Sequence, residues 1–278
     1  MKKLLVLLMA VMGLGMVSSA WAKAKMADTS ATVEMGSGVF FSAYSAMDLA
    51  SLGDMGKAVK AFDDVAKNNF GDQTHFNNDG LGILVGGQLG LQLDKNNSLS
   101  VGIENTWTSQ MGTTIYAGTD AHYFQLMDPT LLGVALNYGL DLLNEGGNHT
   151  RLTLGAGFYH ASLHYASNLE SDTLYVGDFG SDNIGGTLGL SEELGLGGGF
   201  SFLVDARFRV ADFGQLESNN LTFGGTATSG TYRLVSSSDT QFYEINPKAT
   251  SYTPPSGYHW TDLDYTGFTG NLGFKLAL

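Results

Sequence analysis

Apolar residues recur at every second position in segments of about ten residues, a period that fits half-buried β-strands and excludes amphipathic helices over most of the chain. Leu81, Ile83, Val85, Leu89, Leu91 and Leu93 alternate with Gly82, Gly86, Gln88, Gly90 and Gln92. After the turn signal Asp94-Lys95-Asn96-Asn97 the alternation resumes at Leu99, Val101 and Ile103 against Ser100, Gly102 and Glu104, so the two segments read as one hairpin. Leu132–Leu142 and Arg151–Phe158 flank Asn144–Asn148 in the same way, and Leu188–Leu196 and Phe200–Val210 flank Gly197-Gly198-Gly199. A first strand is expected near Val33–Phe41, and a last one ends the chain with Phe268, Leu272, Phe274, Leu276 and Leu278 on one face.

Eight strands result, with connections that alternate in length. Three are tight (94–97, 144–148 and 197–199) and four are long (about 42–79, 108–130, 166–183 and 212–260). The pattern predicts an all-β fold, a transmembrane antiparallel β-barrel of eight strands with short periplasmic turns and long extracellular loops. Ten strands are expected instead if a hairpin around Thr222–Leu234 enters the membrane.

Alternation alone does not say which face is inside, since a soluble barrel alternates with its apolar face inward. The polar face decides. A water-facing surface is rich in Lys, Glu and Asp, whereas here that face is mostly Gly, Ser, Thr, Asn and Gln with isolated charges. Small residues suit the cramped interior of an eight-strand barrel, and uninterrupted Leu, Val and Phe suit hydrocarbon. Trp107, Tyr138, Phe158, Tyr265 and Phe268 are the candidates for interfacial aromatic girdles.

The N-terminus is consistent with export. Lys2 and Lys3 precede an apolar stretch from Leu4 to Val17, and Ala20-Trp21-Ala22 supplies a small–x–small cleavage pattern, so residues 1–22 read as a signal peptide and 23–278 as the barrel domain. Removing 1–22 leaves 12 Lys+Arg against 27 Asp+Glu, and 12 − 27 = −15. That acidic balance argues against nucleic acid as a partner, because affinity there rests on neutralising phosphates. The chain has no cysteine, which removes disulfides, thiolate metal sites and cysteine nucleophiles.

The signal-peptide pattern, the eight alternating segments and the C-terminal run Tyr265-Thr-Gly-Phe-Thr-Gly-Asn-Leu-Gly-Phe-Lys-Leu-Ala-Leu278 together resemble small outer-membrane barrels of the OmpA/OmpX/OmpW type. Phe202–Arg209 is similar to a strand of that group. The resemblance is one of pattern over most of the mature chain, and Leu278 stands where the family usually ends in Phe or Trp. It implies the outer membrane of a Gram-negative cell, contact with outer-membrane lipid and lipopolysaccharide, delivery by the barrel-insertion machinery, and a monomer.

Glu104, Asp141, Arg151, Asp205, Arg207, Arg209 and Lys275 are expected to face the lumen. Both signs are present, so a paired network filling a closed barrel is favoured over a solute path. The six histidines lack metal-site spacing, and no metal or cofactor is expected. His160, Ser162 and His164 share a strand face, the one place where lipid-modifying chemistry could sit, at a spacing common by chance. Residues 46–67 read as an amphipathic helix in the first long loop, a lid or a rim element, from Leu49, Leu52, Met55, Val59 and Phe62 at helical spacing. Tyr252, Tyr258 and Trp260 in the last long loop are the loop-binding candidates, with the surface ligand unknown. The expectation is a barrel without catalytic activity, acting in membrane integrity or surface binding through its loops. The alternative is a narrow channel or lateral path for small, hydrophobic solutes, as the OmpW likeness implies.

Overall fold

The computed structural model describes residues 38–278, apart from 51, 54, 58–59, 61–63, 65–66, 69–73, 78–80, 118–119, 146, 169–173, 238–242, 247–253 and 255. The proposed signal peptide and Val33–Ser37 lie outside the described residues. Eight strands form the closed ring: β1 (Val39–Ala50), β2 (Leu81–Gln92), β3 (Asn97–Thr108), β4 (Asp120–Glu145), β5 (Asn148–Ser167), β6 (Tyr175–Gly197), β7 (Phe200–Val210) and β8 (Gly267–Ala277). Each pairs antiparallel with its neighbour in sequence, and β8 pairs with β1 to close the ring.

The stagger of the ring follows from its register. Stepping across the ladders from Ala50 leads through Gly267, Arg209, Thr187, Gly155, Asn137, Ser100 and Gly90 to Phe40, so one circuit returns to β1 displaced by 50 − 40 = 10 residues. A stagger of this size goes with strands tilted by roughly 35–45° and a bore just wide enough for side chains to fill it. Inward rings therefore need glycine opposite them. A Cβ on Gly86 would stand 2.6 Å from the Tyr44 ring, and one on Gly133 would stand 2.5 Å from the Tyr159 ring.

β1, β2, β3, β7 and β8 are 11 or 12 residues long, close to what a tilted strand needs to cross hydrocarbon, whereas β4, β5 and β6 run to 26, 20 and 23. The apolar set changes face along these tall strands. In their lower parts Leu132, Val134, Leu136, Leu154, Phe158, Ile184 and Leu188 point outward and are exposed. Higher up, at positions of the opposite parity, Met127, Leu131, Ala161, Leu163, Tyr165 and Phe179 are buried inside. A strand that leaves lipid for water must exchange the apolar face it shows outside for one packed within, so the switch marks the bilayer boundary. It falls between Leu131 and Leu132 on β4, between Phe158 and Ala161 on β5, and between Phe179 and Ile184 on β6.

Above that boundary short strands widen the wall. Residues 74–77 and 111–117 extend the sheet beside β4, and 217–218, 222–223, 232–237, 243–246 and 258–260 extend it beside β6. This hairpin of the last loop stays above the apolar belt, so the ring has eight strands and not ten. Long connections expected at 108–130 and 166–183 are in large part strand, because outside the bilayer a strand no longer needs apolar outward positions and its signature weakens.

β1 corrects two boundaries. It ends at Ala50, not near Phe41, so Ala46–Ala50, expected as the start of a helix, belong to the strand, with Asp48 turned inward and Met47 and Leu49 outward. Among the described residues beyond it, Gly53, Met55–Lys57, Lys60, Asp64, Lys67 and Asn68 have helical backbone. Leu52 and Met55 are fully buried over the mouth of the bore.

Candidate functional site

The interior of the belt is a stack of charged tiers. At the periplasmic end Arg151 Nε lies 2.5 Å from Asp141 Oδ1, Arg151 also donates to Gln92 Oε1 at 3.2 Å, and Lys275 Nζ donates to Glu193 Oε2 at 2.7 Å. Lys275 also sits over the Phe40 ring, 4.6 Å from its centroid. In the middle tier Arg207 pairs with Asp205 at 2.5 Å, donates to the Tyr44 hydroxyl at 3.2 Å and stacks 4.7 Å from the Tyr44 centroid. In the upper tier Arg209 is clamped between Asp48 and Glu104, the latter at 3.2 Å, and its Nε donates to the Tyr265 carbonyl oxygen. Burying any one of these charges alone is expensive, and pairing makes it tolerable.

Of the seven charges expected in the lumen, Glu104, Asp141, Asp205, Arg209 and Lys275 are buried, and Arg151 and Arg207 pair with the buried Asp141 and Asp205. Three more partners are not evident from the sequence. Asp48 sits among residues at helical spacing. Glu193 lies beside Glu192, which faces outward as strict alternation requires and accepts from Thr150 Oγ1 at 2.7 Å. His149, next to the 144–148 turn, is the second residue of β5, buried, with Nδ1 3.3 Å from Asp141 Oδ2.

Above the tiers the bore is closed by apolar side chains. Leu52, Met55, Met111, Met127, Leu131, Phe179, Phe213, Leu216 and Leu263 pack in one cluster with Tyr159 and Tyr265. Tyr265 is thus not an outward girdle residue. It is fully buried, edge-on to Phe213 with centroids 6.4 Å apart, and its hydroxyl meets Thr108 Oγ1 at 3.1 Å. Trp107, Tyr138 and Phe158 are outward and exposed, and Phe268 lies outward against Phe208 at 4.8 Å.

The outer wall above the belt carries two directly paired His–Asp rungs. His160 Nδ1 is 2.8 Å from Asp182 Oδ1, and His164 Nδ1 is 2.6 Å from Asp178 Oδ1. The hydrogen bond from His164 is the main reason that the Asp178 carboxyl is held below its ordinary range. Ser162 lies between the histidines, but its hydroxyl meets Thr130 Oγ1 at 2.6 Å on the β4 side, while both histidines lean towards β6. A serine and a base that lean apart do not form the hydrogen-bonded pair that acyl transfer needs. Among the described residues no group of three or more His, Asp or Glu side chains is arranged to hold a metal ion.

Of the loop-binding candidates, Tyr252 lies outside the described residues. Tyr258 and Trp260 are half-buried on a strand that pairs with 235–237, and Trp260 stacks under Arg233 at 5.4 Å.

A closed ring, an apolar outer belt about one bilayer tall and a polar bore define a small membrane-spanning β-barrel. No family model matches the chain, and no curated protein is similar to it. Among the solved structures that match are three that align with most of the chain. A major outer membrane protein from Thermus thermophilus is 11% identical with a TM-score of 0.42, over 86% of this chain and 99% of that one. CarO from Acinetobacter baumannii is 12% identical with a TM-score of 0.32, over 85% and 97%. The outer membrane protease OmpT from Escherichia coli is 10% identical with a TM-score of 0.32, over 90% and 99%. Superpositions this loose decide nothing about what the chain does.

Proposed function

We propose that this is an outer-membrane protein of a Gram-negative cell whose barrel is a closed anchor and whose function, in membrane integrity or surface binding, is carried by the extracellular wall. The reading includes export through cleavage after Ala22, a monomeric barrel and no catalytic activity. The observation that carries it is the filled bore, with three tiers of paired charge beneath an apolar plug. A conducting pore would need a continuous water path through both. The tall β4–β6 wall, with its own apolar core, puts the ordered surface outside the membrane, where loops on a rigid scaffold carry binding.

Single-channel recording of the refolded mature protein in planar bilayers tests this reading, with Arg207→Ala, Arg209→Ala and Glu104→Ala beside the wild type. A silent wild type is expected. Stable wild-type conductance that these substitutions alter would place the tiers on a solute path and make the channel alternative the better reading.

A further inference from the structure

Among the described residues the upper tier of the lumen is one cation short. In the lower tier Asp141 and Glu193 face Arg151 and Lys275, and in the middle tier Asp205 faces Arg207. In the upper tier Asp48 and Glu104 share the single guanidinium of Arg209. Asp48 and Arg209 are fully buried, so bulk water does not screen the surplus charge, and leaving it uncompensated is costly.

The same tier holds open oxygens. Asp48 Oδ2 accepts from Arg209, whereas Asp48 Oδ1 and Thr106 Oγ1 are buried without a hydrogen-bond partner. Both side chains flank Gly82, where a Cβ would stand 3.1 Å from Thr106 Cγ2 and 3.3 Å from Asp48 Cβ, so the threonine hydroxyl is a neighbour of the carboxyl. Buried polar atoms left open in this way call for a further bound particle. No other group around the pair supplies a positive charge. Tyr265 lies 5.6 Å from the Arg209 guanidinium, measured to its ring centroid, and Tyr159 and Glu104 meet over Gly133. Arg207 is committed to Asp205 and the Tyr44 hydroxyl, and His149 belongs to the lower tier, which is even without it.

We infer that the upper tier is a proton-binding site, in which one proton rests on Asp48 Oδ1 and donates to Thr106 Oγ1, so that Asp48, Glu104 and Arg209 together are neutral. A proton needs no cavity, and its one hydrogen bond satisfies both open oxygens. A bond from the threonine to an ionised Asp48 would satisfy the oxygens but leave the charge. β1 leads from Asp48 to Leu52, which with Met55 belongs to the apolar plug. Loss of the proton in alkali puts two carboxylates on one guanidinium at the foot of that plug, which makes the closure of the bore pH-sensitive. The site goes beyond the closed-anchor reading and does not depend on what the outer wall binds.

The first test is infrared spectroscopy of the refolded barrel in an uncharged detergent at about pH 8, where exposed carboxyl groups are ionised. The C=O stretch of an un-ionised carboxyl group is expected in the wild type. It should vanish in Asp48→Asn, and also in Glu104→Gln, where Asp48 has Arg209 to itself, and it should persist in Asp205→Asn. Both of the first two variants keep one carboxylate beside Arg209 and should fold. If Asp48→Asn does not, the wild type and Glu104→Gln still read the site. The second test is urea unfolding of the wild type and Asp48→Asn. The folded chain holds a proton that the unfolded chain has released, so the wild-type folding constant relative to the variant should fall about tenfold per unit from about pH 6 until the proton leaves. The absence of the band, or a ratio that is flat with pH, would overturn the inference. A band lost in Asp205→Asn would move the proton to the middle tier, and one kept in Glu104→Gln would assign it to burial alone. Either result also overturns it.

Discussion

Replacing Arg209 by Met removes the one cation of the upper tier and leaves its two acids facing each other. Arg209 is 2% exposed and is bracketed by Asp48, 1% exposed, and Glu104, so water cannot take over the solvation of either acid. Breaking a buried pair by deleting one partner costs about 3–5 kcal/mol, which is roughly two to four orders of magnitude in the folding constant. Two stranded acids put Arg209→Met at the upper end of that range. The assay is urea unfolding of the barrel in uncharged detergent, followed by tryptophan fluorescence. The cycle is completed by Asp48→Asn with Glu104→Gln, alone and combined with Arg209→Met. Neutralising the acids in the Arg209→Met background should recover most of the loss, because the cost arises from uncompensated charge and not from the missing volume. An Arg209→Met barrel within about 1 kcal/mol of wild type, or no recovery in the triple variant, would refute the tier as a buried, mutually dependent network.

Other consequences follow from the same geometry. Gly90→Val should destabilise the barrel by about 1–3 kcal/mol by driving a side chain into the Phe40 ring and against the Leu99 carbonyl oxygen, and Phe40→Ala should relieve only the part due to the ring, as unfolding midpoints would show. Leu136→Arg, in the middle of the outward belt, should cost about 2–4 kcal/mol in lipid vesicles, whereas Asn220→Arg on the wall should cost far less. The depressed Asp178 carboxyl stabilises the wall at pH values above the ordinary carboxylate range, and that contribution fades as pH falls through its lowered value. His164→Ala should therefore lower the thermal midpoint at neutral pH, with the difference shrinking towards strong acid, and carbon NMR of Asp178 should show its titration moving up.

The ring was legible because lipid imposes one rule on every strand. Leu99, Val101 and Ile103 could be read as outward, and Glu104 as inward, without knowing their partners. The rule lapses at the bilayer boundary. On β5 the apolar set moves from Leu152, Leu154 and Phe158 to Ala161, Leu163 and Tyr165, so a strict period stops at Phe158 while the strand continues to Ser167. His160 faces outward just beyond Phe158, the last outward apolar residue of that strand's belt. Asp48 escaped because Leu49, Leu52 and Met55 fit helical spacing, although Phe41, Ala43, Ser45, Met47 and Leu49 on one face also fit a strand. Tyr265 could not be placed by type alone, since an aromatic near a strand end suits a girdle and a plug equally. The pairing of the charges, and the deficit it leaves, depends on which strands meet across the ring, and a single strand's period carries no such information.

The absence of cysteine makes single-cysteine scanning of β3 the most direct test of a closed barrel facing lipid. Cysteines would be placed one at a time from 99 to 104 in the refolded protein in vesicles. Each is read by quenching of an attached probe from brominated lipid and by the rate of reaction with a water-soluble maleimide. At Leu99, Val101 and Ile103 strong lipid quenching is predicted. At Ser100, Gly102 and Glu104 neither quenching nor fast maleimide reaction is predicted, because those side chains face a filled bore. Rapid maleimide reaction at the even positions would contradict the closed lumen, and quenching that fails to alternate would contradict the membrane-spanning barrel itself.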